Sequence, residues 1–141
     1  MAETLILASR SPQRRAILEQ LGVDFRVEPP EVEEASDGDP RALALENALR
    51  KARAVPGDAV LGVDTEVVLD GRVFGKPADA EEAETFLRRL SGRTHEVMSG
   101  IALRLPQGEE RTDVAVTRVR FRLLEQRDLD WYVESGEWRD R

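Results

Sequence analysis

There is no cysteine in the 141 residues, and there is a single histidine, His95. A disulfide, a thiolate metal site and a cysteine nucleophile are therefore excluded, and so is a multi-histidine metal site. No apolar run approaches the length of a membrane span. The N-terminus lacks the basic-then-apolar layout of a signal peptide. These absences predict a cytoplasmic protein with no membrane partner. Positive charge is also in deficit: 21 Lys and Arg stand against 28 Asp and Glu, a net charge of −7. A nucleic-acid scaffold would normally be basic, so nucleic acid is not expected as a partner. An acidic chain can still bind an anionic small molecule, given local Arg or Lys and a divalent cation held by carboxylates.

What is present is 40% hydrophobic and 35% charged, the balance of a globular domain with a real core. Residues 5–21 read strand, tight turn, helix. Leu5-Ile6-Leu7-Ala8 suits a buried strand. Ser11-Pro12 is a helix start, N-cap then first position, and Ile17, Leu18 and Leu21 follow at helical spacing. The turn carries two hydroxyls, Ser9 and Ser11, with Arg10, Arg14 and Arg15 around it. A helix start with free N–H groups and arginines is a candidate polyphosphate site. The alternative is a capped surface helix with solvated arginines.

Residues 24–39 are acidic. Phe25, Val27 and Val32 suit a short strand, and Glu31, Glu33 and Glu34 read as part of a loop. Asp39-Pro40 starts a helix reaching about Ala54, with Ala42, Leu45, Leu49 and Ala52 as its expected apolar stripe. Lys51 lies near its C-terminal end, where a cation is favourable in any case. Residues 59–63 read as a buried strand ending in Asp64-Thr65. Asp70-Gly71 is a two-residue hairpin turn, which pairs Leu69 with Arg72, Val68 with Val73 and Val67 with Phe74. Extended further, that register puts Thr65 opposite Lys76 and Asp64 beside it, a carboxylate and an ammonium at the open end of a hairpin. A plain surface ion pair is the competing account. Asp79 caps a third helix with a buried stripe of Ala83, Phe86, Leu87 and Leu90. Residues 95–103 alternate as a strand, with Val97, Ser99, Ile101 and Leu103 on one face. A further strand is expected over 112–123 and a short helix over 127–133, stopped by Gly136. With no Ser or Cys nucleophile beside it, His95 reads as a strand-start histidine rather than a catalytic one.

Taken together, six stretches resemble the Maf (septum-formation-inhibitor-like) nucleoside triphosphate pyrophosphatases. They are LASRSPQRRAILEQLG at 7–22, EVEE at 31–34, ENALRKA at 46–52, LGVDTEVVLDGRVFGKP at 61–77, LSGRTHEVMSGIAL at 90–103 and SGEWRDR at the end. The resemblance implies an α/β fold: a two-lobed mixed sheet flanked by helices, related to the inosine-triphosphate pyrophosphatases. It implies hydrolysis of a nucleoside triphosphate to monophosphate and pyrophosphate, with Mg²⁺ or another divalent cation such as Mn²⁺. By motif, Ser9 and Arg14 bind substrate, Glu34 and Asp64 hold the cation, and Lys51, Asp64 and Lys76 are catalytic, Asp64 as proton acceptor. Thr65 matches a position tied to dTTP and UTP. Gln13 stands where many members have Arg, at a position associated with base choice, and Ser11 joins the same turn. Members continue beyond the position of Arg141 into a segment resembling AGGYxIQG. The expectation is thus a single domain over 1–141 without the C-terminal part of the family fold, leaving a sheet edge and apolar surface exposed. A homodimer is a candidate assembly. A non-enzymatic nucleotide-binding regulator of cell division is the alternative that comes with the family name.

Overall fold

The computed structural model describes residues 4–140, so Arg141, the last residue of the SGEWRDR stretch, lies outside the described residues. Strands β1 (Leu5–Ala8), β2 (Phe25–Val27), β3 (Ala59–Leu69), β4 (Arg72–Phe74), β5 (Thr94–Arg104) and β6 (Glu110–Arg120) form one mixed sheet. Its order is β2-β1-β3-β5-β6, with β4 paired to β3 off this path. β1 runs parallel to both β2 and β3, whereas β3 and β4 are antiparallel. Helices α1 (Pro12–Gln20), α2 (Pro40–Ala54), α3 (Ala80–Leu90) and α4 (Gln126–Ser135) complete the fold, with a short 3-10 helix at Glu137–Asp140. The chain divides into two compact units.

The first unit comprises Met1–Thr65 and Met98–Ala115. Its core gathers Ile6 and Ala8 of β1, Ala48 and Ala52 of α2, Val55, Val60 of β3 and Ala102 of β5. The small residues have a reason. A methyl at Gly62 of β3 would meet the Ala48 carbonyl oxygen, and one at Gly100 of β5 would meet that of Ala44. The α2 backbone thus lies directly on the sheet, and close approach of this kind requires glycine. The C-terminal end of α2 is closed by Arg104 of β5, which donates to the carbonyls of Ala52, Val55 and Gly57.

Both helix starts in this unit are those expected. Ser11 Oγ accepts from the Arg14 N–H and Asp39 Oδ2 from that of Ala42, with proline at the first helical position each time. Three expectations need correction. The buried face of α2 is Leu43, Ala44, Asn47, Ala48, Lys51 and Ala52, whereas Ala42 is exposed and Leu45 and Leu49 are half-buried. The stripe is rotated because a polar pair, Asn47 and Lys51, occupies part of it. Val32 lies outside β2 in the acidic loop. α1 buries none of its residues, and Ile17 and Leu21 are exposed.

The second unit comprises Glu66–Val97 and Val116–Arg141. Its core is Val67, Leu69, Phe74 and Leu90, with Phe86 and Phe121 packed against it. The Asp70-Gly71 hairpin has the expected register, Leu69↔Arg72, Val68↔Val73 and Val67↔Phe74. The ladder stops there, because β4 ends at Phe74, so it does not reach Lys76. Asp79 caps α3 through the Glu82 N–H, and Ala83 and Leu90 are its buried residues. Gly136 at φ 73° ends α4 in the left-handed conformation. His95 is buried, with its ring edge-on to Phe121 at 4.8 Å between centroids.

Candidate functional site

The polar groups singled out in the first unit converge where β1, α1, α2 and β3 meet. β1 ends at Ala8, and Ser9 follows, buried at 2% exposure. Its Oγ accepts from the Ser11 N–H at 3.0 Å and from Arg14 Nη1 at 3.4 Å. Ser11 donates to Gln13 Oε1 at 3.0 Å. The two serines therefore take up the N–H groups of Ser11 and Arg14. Among the described residues, Gln13 is left as the first-turn donor without an intramolecular acceptor. One exposed N–H at a helix start is a donor available to an anionic ligand.

Of the three arginines around the turn, one faces the site. Arg10 donates to the Pro30 carbonyl, and Arg15 pairs with Glu19 one helical turn on. Arg14 instead spans from Ser9 to Thr65, donating through Nη2 to Thr65 Oγ1 at 3.0 Å. Burial pushes the pKa of the Arg14 guanidinium below arginine's ordinary value, while the charges of Asp64 and Glu34 pull it back up. An arginine remains protonated throughout, so Arg14 is a permanent, partly desolvated cation.

Successive side chains of a strand point to opposite faces. Asp64 therefore shares the face of Val60 and Gly62, against α2, whereas Thr65 points to the other face and is exposed. Asp64 is 5% exposed. Its cation is Lys51, whose Nζ lies 3.2 Å from Asp64 Oδ1, 3.2 Å from the Val63 carbonyl oxygen and 3.0 Å from Glu34 Oε1. This corrects the expected Asp64–Lys76 pairing. Lys51 comes from the helix that covers the strand, and Lys76 is an exposed residue of the second unit beyond the end of β4. It also corrects the picture of Asp64 as a surface ion pair.

Asp64 Oδ2 is buried and has no hydrogen-bond partner among the described residues. Buried carboxylate oxygens are nearly always bonded, so an orphaned one calls for an explanation such as a catalytic role or a bound ion. The donor set here is all oxygen. Among the described residues, no group of three or more Asp, Glu, His or Cys is gathered as a cage. Two carboxylates with one free oxygen suit Mg²⁺, which takes one or two protein carboxylates and completes its shell with water and phosphate oxygens. Glu34 and Asp64 thus fit the divalent cation implied by the sequence resemblance.

Two participants escaped the sequence reading. Ser99 of β5 places its Oγ 3.3 Å from Thr65 Oγ1, extending the Ser9–Arg14–Thr65 chain to a fourth element. Its alternation with Val97 and Ile101 concealed it as a face position. Asn47, 1% exposed, lies one turn before Lys51 on α2 and holds the acidic loop. The signal for it was its place in the ENALRKA stretch, one helical turn before Lys51.

A family described as Maf-like protein matches the chain over residues 4–141. The chain belongs to this family. It is 51% identical over 145 residues to a dTTP/UTP pyrophosphatase of Symbiobacterium thermophilum, covering 99% of this chain and 74% of that protein. To a dTTP/UTP pyrophosphatase of Thermus thermophilus it is 51% identical over 138 residues, covering 97% of this chain and 73% of the relative. Among solved structures, the Staphylococcus aureus Ham1 protein superposes with a TM-score of 0.58 at 18% identity, covering 84% of this chain and 71% of that one. A nucleoside-triphosphatase / dITP/XTP pyrophosphatase from Mycobacterium abscessus does so with a TM-score of 0.53 at 23% identity, covering 82% and 72%. The Maf-like chain therefore shares the mixed α/β fold expected for it. Among the described residues no helix is long and apolar enough to cross a membrane.

Proposed function

We propose that this Maf-like chain hydrolyses nucleoside triphosphates, dTTP and UTP among them, to the monophosphate and pyrophosphate. The observation that carries the reading is the Asp64 carboxylate: buried, fixed through Oδ1 by Lys51, and with Oδ2 unbonded. A general base needs a held carboxylate with a free oxygen within reach of the attacking water. In the reaction, the water oxygen forms a bond to the α-phosphorus as its proton passes to the Asp64 carboxylate. The bond from that phosphorus to the bridging oxygen breaks, and pyrophosphate leaves with the bridging oxygen.

Phosphoanhydride cleavage is mostly positioning and charge neutralisation. Arg14 supplies a fixed guanidinium, suited to bidentate contact with phosphate oxygens. Ser9 holds that guanidinium, and the Ser11-capped turn presents the Gln13 N–H beside it. Glu34 and Asp64 would hold Mg²⁺ or Mn²⁺, which supplies neutralisation of the phosphate charge and a lower pKa for bound water. Lys51 keeps the two carboxylates side by side despite their like charge. We assign the Thr65 and Ser99 hydroxyls to the nucleoside, and the relatives named dTTP/UTP pyrophosphatase support those two substrates here. Lys76 is carried as a phosphate contact on its motif, GKP at 75–77, alone.

The test is a nucleotide panel assayed for pyrophosphate and for orthophosphate, with and without Mg²⁺. The expected result is Mg²⁺-dependent release of pyrophosphate with equimolar monophosphate, fastest on dTTP and UTP. Orthophosphate and diphosphate as first products would refute the α–β cleavage.

A further inference from the structure

The acidic loop that carries Glu34 has no regular secondary structure, and its attachments to α2 fall on either side of that one residue. Asn47 makes two bonds to a single loop residue: its Oδ1 accepts from the Ala35 N–H at 2.7 Å, and its Nδ2 donates to the Ala35 carbonyl at 3.0 Å. Arg50 donates through Nη1 to the Glu33 carbonyl at 2.9 Å, and its Nε is held by Glu46 at 3.0 Å. The Glu33 carbonyl belongs to the peptide unit before the Glu34 Cα, and the Ala35 N–H to the unit after it. Both peptide planes flanking Glu34 are therefore tethered to one helix, which fixes its φ and ψ and the direction of its side chain. Positions 47, 50 and 51 are spaced by three and four, so they share one helix face. The third of them, Lys51, takes the Glu34 carboxylate itself at 3.0 Å.

We infer that Asn47 and Arg50 are positioning residues that hold the backbone of Glu34 in place, so that its carboxylate meets the site already ordered. The inference rests on the proposed pyrophosphatase reading for what Glu34 does, but the clamp itself does not. Freezing a loop residue costs backbone entropy. A loop pre-ordered by α2 spares the bound state that cost, which is the general advantage of a preorganised site. Asn47 is committed to this task, because at 1% exposure its amide has the Ala35 backbone groups as its hydrogen-bond partners.

The experiment pairs Asn47→Leu, which keeps the branched heavy-atom outline and removes both bonds, with Glu34→Gln in a double-mutant cycle. Amide hydrogen exchange is followed alongside. In the wild type the Ala35 amide should be protected. In Asn47→Leu it should exchange at close to the unprotected rate while the α2 amides stay slow. Activity in Asn47→Leu should fall roughly 10- to 100-fold, the scale of a small misplacement in a catalytic site. The double variant should lose no more than Glu34→Gln alone, since both changes remove the same contribution. Arg50→Ala, at a half-buried position, makes the same test through the Glu33 carbonyl should Asn47→Leu fail to fold. A fast-exchanging Ala35 amide in the wild type, or fully additive losses in the cycle, would overturn the clamp. A wild-type chain without hydrolysis would overturn the pyrophosphatase reading instead, and Ala35 exchange would still decide the clamp.

Discussion

Asp64 is held on one oxygen and open on the other, and the two halves of that arrangement make different demands on a substitution. Asp64→Asn keeps the shape and removes the charge. As a base or cation ligand, Asp64 should be needed for turnover, so kcat at saturating nucleotide and Mg²⁺ should fall by a factor of roughly 10² or more. The burial of Asp64 adds a second expectation. Loss of a charge-assisted bond to Lys51 at 3.2 Å should cost about 1.5–3 kcal/mol and lower the Tm. A surface ion pair would have left the Tm unchanged. A stable Asp64→Asn protein with near-normal kcat would remove Asp64 from the mechanism. The residue types at the site were legible in the sequence: Ser9, Arg14, Glu34, Lys51 and Asp64 all stand in motifs and do come together in the first unit. The partner of Asp64 was not. The hairpin register was sound as far as Phe74, but a turn fixes register only for as long as the strand continues. Which helix covers a strand is a tertiary matter that no local pattern encodes.

Among the elements, α2 carries the most consequence, because it covers β3 and β5 and also bears Asn47, Arg50 and Lys51. Its close seat on the sheet depends on two glycines. A Cβ at Gly62 would strike the Ala48 carbonyl, and one at Gly100 that of Ala44, both backbone atoms that cannot swing aside. Gly62→Ala and Gly100→Ala should each force α2 away from its strand. Each should cost on the order of 1–3 kcal/mol, the usual range for overpacking, as read by denaturant midpoint. Gly62→Ala should also raise the KM, since it stands two residues from Asp64. A midpoint unchanged in either variant would show that α2 is not seated on the sheet as described. Element identities were largely legible, since proline, Ser or Asp caps and the Asp-Gly turn fix boundaries through local geometry. Buried faces were less so. On β5 the alternation set Val97, Ser99, Ile101 and Leu103 on one face without telling which face is inner, and the buried positions of this half are Gly100 and Ala102 on the other. A helix packed backbone to backbone selects small residues, so hydrophobic size points away from it.

At the scale of the whole chain, carboxylates outnumber cations, and folding places several of the carboxylates where they prefer to stay charged. The Arg53 guanidinium, bidentate on Glu110, holds that carboxyl below its ordinary value. Gln126 and then Arg88 do the same for Glu84. Asp128 is held furthest: the bidentate Arg122 and the Glu125 N–H draw it from 3.8 to about 2. For each of these groups the unfolded chain binds a proton more readily than the folded one. The stabilisation is therefore complete above the ordinary carboxylate value and is lost as pH falls through the folded-state value. For Asp128 that window runs from about 4 down to about 2. Since the pair is exposed, the contribution is screened by salt. Melting curves of the wild type and of Asp128→Asn should differ by a constant interval from neutral pH to about pH 5. The interval should shrink steadily below pH 4 and be mostly gone near pH 2, where the folded wild-type carboxyl is about half protonated. In 1 M salt the interval at neutral pH should already be smaller. An interval that stays the same from pH 7 to pH 2 would show that the charge on Asp128 does not stabilise the start of α4, leaving only its neutral hydrogen bonds to do so.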